Sequence, residues 1–158
     1  MIKRLKITFL CGFALFSSFC GGPSSTNSET KSKPKSMVET AEEPEDPMAN
    51  KGIGPVSEVT LGAEIDEAMA AEGKSIFETM CAACHKIDEK FIGPSPKGIL
   101  KRRSPEWVMN MILNPEQMIK EDPVAKALFI EFNMSPMANQ NLTEDQARKV
   151  LEYFRTLE

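Results

Sequence analysis

From Gly62 to the C-terminus, apolar residues recur at helical rather than alternating spacing, and no run of period-2 alternation with β-branched residues argues for a sheet. Ile65, Met69, Gly73, Ile76, Phe77 and Met80 fall near one side of a first predicted helix over about 63–80. Ser104-Pro105-Glu106 opens a second: the serine can cap, the proline suits the first helical position, and the glutamate favours the helix dipole. Asn114-Pro115 ends it after Leu113. Asp122-Pro123 repeats the start signal for a third helix over about 123–132, followed by a loop carrying NMSPMANQN. A last helix starts at Thr143, where Gln146 completes a capping box, and runs to about Leu157 with Ala147, Val150, Leu151 and Phe154 on one face. The pattern predicts an all-α domain over residues 62–158, three or four helices around a loop-rich centre. Such a domain of about a hundred residues buries only a modest core unless a large apolar group contributes to it.

The pattern upstream is different. Residues 1–19 have a basic start, an apolar run from Ile7 to Phe16 and then small residues, the layout of a secretory signal peptide. Cys11 lies inside that run and reads as a small hydrophobe. Cys20 closes the run and opens a Gly/Ser/Pro-rich stretch, an arrangement that resembles a bacterial lipoprotein, in which the cysteine is lipidated and becomes the mature N-terminus. Phe19 and Ser17 depart from the usual residues of such signals. An uncleaved anchor is the alternative for the segment, and a free or buried thiol is the alternative for Cys20. Residues 20–61 hold no Phe, Trp or Tyr and are rich in Pro, Ser, Glu, Lys and Thr, which predicts a disordered tether with a reach on the order of 35 Å.

Charge and histidine content narrow the chemistry. The formal charge is −4, and discounting Lys3, Arg4 and Lys6 with the signal makes the chain more acidic still, which disfavours nucleic-acid binding. With one histidine in the chain, sites needing two or three imidazoles are excluded, including tris-His zinc, HExxH and bis-His haem.

The remaining chemistry is concentrated in Cys81-Ala82-Ala83-Cys84-His85. Two thiols at this spacing followed by an imidazole form the attachment signature of one covalent c-type haem: the thiols add across the two vinyl groups and His85 becomes the proximal iron ligand. A thioredoxin-like redox pair would need a βαβ scaffold. A zinc site would lack further Cys or His ligands in the domain. With His85 used, the sixth iron ligand is left to Met, Lys, Tyr, an amine, water or nothing.

At this point the domain resembles class I cytochrome c, the mono-haem family, over nearly all of Gly62 to Glu158. The resemblance implies a close helix crossing at Gly73 and Phe77 with Tyr153, and a hydrogen bond from the proximal imidazole to the Pro94 carbonyl in Gly93-Pro94. It also implies a methionine ligand on the loop before the last helix. In SPMANQNLT that is Met137, with Met134 as the alternative. Met69, Met80, Met109, Met111 and Met118 read as core fillers. Trp107, Val108, Met111, Ile112, Leu100 and Phe91 are expected to wall the haem, with the Trp107 indole N–H available to a propionate. Lys97, Lys101, Arg102 and Arg103 form a basic group suited to propionates, to a partner, or simply to solvent.

These readings imply an exported electron carrier, held by lipid or anchor at the periplasmic side of a bacterial membrane and monomeric as a domain. Its partners would be redox proteins: a quinol-oxidising complex and a terminal oxidase or reductase. The alternatives are a haem enzyme or gas sensor with an open sixth position, or a dedicated electron-donor subunit of a respiratory reductase.

Overall fold

The computed structural model describes residues 46–158, so the signal segment, Cys20 and most of the expected tether lie outside the described residues. Five helices account for the regular structure of the described residues: α1 Glu67–Met80, α2 Pro105–Leu113, α3 Pro115–Glu121, α4 Pro123–Glu131 and α5 Glu144–Arg155, with a 3-10 turn at Ile99–Lys101. No strand occurs among the described residues, and none of their helices is long and apolar enough to cross a membrane. The all-α expectation holds.

Local signals explain most boundaries. Ser104 accepts the Trp107 N–H, Asp122 the Ala125 N–H, and Thr143 with Gln146 closes the reciprocal capping box. Two boundaries differ from the sequence reading. α1 starts at Glu67 rather than near 63, because the Asp66 carboxylate caps it by accepting the Met69 N–H at 2.9 Å. The second difference is α3, which the sequence reading missed. Asn114 turns the chain out of α2 (φ −139°, ψ 50°), and Pro115 then occupies a first-turn position, where a missing N–H costs nothing. The Asn-Pro pair both ends one helix and begins another.

α1 and α5 cross backbone to backbone. A Cβ at Gly73 would sit 1.9 Å from the carbonyl oxygen of Lys149, so only glycine permits this approach. The expected crossing is therefore present, although Gly73 meets the Lys149 backbone and not an aromatic ring. The aromatics pack alongside: Phe77 lies 5.7 Å from Tyr153 and 5.8 Å from Phe154, centroid to centroid.

The expectation of a tether as far as residue 61 needs correction for its last part. Residues 50–61 form a strap against α2 and α3, with Val56 buried. Asn110, 1 % exposed, receives the Val56 N–H on its oxygen and donates its amide to the carbonyls of Val56 and Lys51. Ser104 donates to the Asn50 carbonyl, and Glu106 accepts from Val59 N–H and the Lys51 ammonium. Aromatic content misses this segment because buried polar side chains clasp its backbone, with only a few apolar residues adding to the contact.

Candidate haem site

α1 delivers the cysteine motif directly. At its C-terminus the N–H groups of Cys81 and Ala82 both return to the Phe77 carbonyl, and those of Cys84 and His85 return to the Cys81 carbonyl. This tight turn sets Cys81, Cys84 and His85 on the wall of one cavity of about 750 Å³. Cys81 and Cys84 are not joined as a disulfide. Burial, and secondarily the neighbouring Cys84, pushes the Cys81 thiol above its ordinary value.

His85 is held from behind. Its Nδ1 lies 2.8 Å from the Pro94 carbonyl oxygen. A carbonyl can only accept, so this bond requires the proton on Nδ1 and leaves the Nε2 lone pair for a metal. Gly93 packs flat against the ring: a Cβ there would lie 2.5 Å from His85 Cε1, and the Gly93 N–H is committed to the Cys84 carbonyl at 2.9 Å.

Met137 also lines the cavity and is half-buried against the core, whereas Met134 is 66 % exposed and lies outside the cavity lining. Met134 and Asn133 have positive φ (56° and 58°), where the chain turns after α4. Asn139 ties the loop to the end of α2 by donating to the Leu113 carbonyl at 3.3 Å.

The walls are mostly apolar. Trp107, Val108, Met111 and Ile112 line the cavity as expected. Leu100 packs on the core without lining the cavity, and Phe91 is 54 % exposed under the Lys86 ammonium, so these two expected wall residues are corrected. The sequence reading missed Leu128 and Phe129 of α4, along with Phe132, which were legible only as generic helix positions. Among the methionines read as core fillers, Met109 and Met118 are buried, while Met80 is 39 % exposed at the cavity.

Trp107 is a wall residue, but its indole N–H is already given to Asp122 at 3.1 Å and is not free for a propionate. A buried carboxylate needs donors, and this one takes the indole. The basic group divides. Lys101, Arg102 and Arg103 line the cavity, and the Arg103 guanidinium lies over the Trp107 ring at 5.7 Å, whereas Lys97 pairs with Asp88. Among the described residues no group of three or more His, Cys, Asp or Glu side chains converges, so the donors here suit a metal that brings its own macrocycle. Unpaired thiols on one turn, an oriented imidazole, an apolar cavity and basic groups on its wall all fit a covalently attached haem.

The sequence profile described as Cytochrome c matches residues 70–158. The chain belongs to the cytochrome c family. Its cofactor is a covalent c-type haem, and Cys81 and Cys84 stand in the haem-binding region. The cytochrome c from Rhodothermus marinus is 47 % identical over 66 % of this chain and 89 % of its own, with a TM-score of 0.64. An engineered form of that cytochrome c, bound to a carbene intermediate, is likewise 47 % identical over 66 % of this chain and 89 % of its own, with a TM-score of 0.61. No curated protein matches the chain. As a cytochrome c domain, it transfers electrons through its haem.

Proposed function

We propose that this chain is a mono-haem, class I electron carrier in which Cys81 and Cys84 form the thioethers, His85 is the proximal iron ligand and Met137 the distal one. The observation that carries this reading is a single cavity lined by Cys81, Cys84, His85 and Met137, with Met134 outside its lining. The haem supplies a reversible Fe(III)/Fe(II) couple. The protein supplies the rest. Pro94 orients the imidazole and raises its basicity, the α2 and α4 side chains exclude water, and Lys101, Arg102 and Arg103 bring positive charge to the cavity wall for propionates. Two side-chain ligands leave no position for substrate or O₂, which favours a carrier over an enzyme or gas sensor.

In the same reading, the protein is exported by its signal segment and held at the periplasmic face of a bacterial membrane through a lipidated Cys20 or an uncleaved anchor. It shuttles electrons from a quinol-oxidising complex to a terminal oxidase or reductase.

Visible spectroscopy of the oxidised and reduced holoprotein, with and without CO, tests the ligand assignment. The expected result is the weak sulfur-to-iron band in the far red, lost in Met137→Ala, retained in Met134→Ala, with no CO uptake by the unmutated protein. Ready CO binding and no such band would turn the reading to an open-site sensor or enzyme.

A further inference from the structure

Three acids are buried among the described residues, and they are not alike. Glu106 pairs with Lys51, and Glu152 pairs with Arg148 and Arg155. Asp122, 2 % exposed, takes its side-chain hydrogen bonds from neutral donors among the described residues. Its Oδ1 accepts the Trp107 indole N–H at 3.1 Å and the Ala125 backbone N–H at 2.8 Å. Its Oδ2 accepts the Asn50 side-chain amide at 2.8 Å. Two of those donors, Trp107 and Ala125, belong to residues that line the haem cavity, and the third comes from the strap.

The cap and the indole bond on Oδ1 do not need a charge at this position; in an asparagine only the Asn50 amide on Oδ2 would lose its acceptor. An asparagine caps a helix about as well as an aspartate, and an amide oxygen satisfies an indole and a backbone N–H equally. A buried carboxylate without a cation is costly to the folded state. Its electrostatic influence, in contrast, reaches farther than in water, because the surroundings are dry and poorly screening.

We propose that Asp122 tunes the haem. Held one residue behind the Trp107–Ala125 wall, its negative charge favours Fe(III) over Fe(II) and lowers the reduction potential, while Asn50 and Trp107 fix its position. The electron added on reduction goes to iron, and no bond at Asp122 forms or breaks. This rests on the proposed carrier function only in requiring a reversible iron couple.

The test is the midpoint potential of the holoprotein and three variants at low ionic strength. Asp122→Asn keeps the cap and the indole bond but removes the charge. It is expected to raise the reduced-to-oxidised ratio at fixed ambient potential by roughly threefold to tenfold, tenfold being 59 mV for one electron. Asn50→Ala deletes a hydrogen bond to the same carboxylate and leaves the charge, so its potential should stay at or below that of the parent. Asn50→Lys offers a cation to the carboxylate from the strap side and should raise the potential, which carries the test if Asp122→Asn does not fold. An unchanged potential in folded Asp122→Asn, equal shifts in Asp122→Asn and Asn50→Ala, or no rise in Asn50→Lys would reduce Asp122 to a cap and strap clasp. Failure of the carrier reading would show separately, as CO binding or an irreversible couple in the parent protein.

Discussion

Gly93 and Glu152 are single positions where one atom decides the outcome. At Gly93 an added methyl would occupy space already held by the His85 ring. Gly93→Ala is therefore expected to swing the imidazole away from the Pro94 carbonyl, weakening its tautomeric bias. Purified protein should show a lower haem-to-protein ratio and, because a less basic imidazole stabilises Fe(III) less, a higher potential than the parent, read by pyridine haemochrome assay and redox titration. At Glu152 the carboxylate is fully buried. Burial alone would raise its proton affinity, but the Asp66 N–H and the Arg148 and Arg155 guanidiniums outweigh burial and hold the carboxyl below its ordinary value of 4.5. A carboxyl depressed in the folded state binds protons more readily when unfolded. Its stabilisation is thus present above about pH 4.5 and is lost as pH falls through the native value. Glu152→Gln should cost about 3 kcal/mol at neutral pH, and its stability should fall less steeply than the parent's under acid, as followed by denaturant titration across pH 3–7.

Among the elements, the α1–α5 crossing is the least tolerant contact. The obstacle to a side chain at Gly73 is the Lys149 peptide itself, which cannot rotate aside as a side-chain tip would. Gly73→Ala should therefore destabilise by about 3 kcal/mol despite alanine's better helix propensity, lowering the thermal midpoint by 10 °C or more in a calorimetric scan. The starts of α2, α4 and α5 were readable from sequence because each is a local agreement of cap and dipole. Ser104, Asp122 and Thr143 all perform the roles their neighbours imply. The α3 start was equally local, yet Pro115 was read only as a stop, since nothing in an Asn-Pro pair alone says whether the chain will re-enter a helix.

For the whole molecule, the strap joins sequence-distant parts. Lys51, Val56 and Val59 are bound by Glu106 and Asn110, some fifty residues away in the chain. A chain beginning at Gly62 would leave these buried polar groups without partners and expose the α2 surface that the strap covers. One beginning at Asp46 would not. The shorter chain is expected to be less stable than the one beginning at Asp46 by at least about 3 kcal/mol, shown by a lower urea midpoint.

The residues that carry chemistry were legible in order along the chain, because covalent attachment needs Cys81, Cys84 and His85 at short spacing and capping signals act over three or four residues. Gly93-Pro94 and the Met137 loop were singled out only through the resemblance to class I cytochrome c. Which methionine faces the cavity, where the Trp107 indole proton goes, and whether residues 50–61 hang free or are bound depend on contacts distant in sequence, 15 residues apart for Trp107 and Asp122 and 54 for Val56 and Asn110. Such contacts leave no local periodicity. A buried polar group looks the same in sequence as an exposed one, and only packing decides which oxygen it must satisfy.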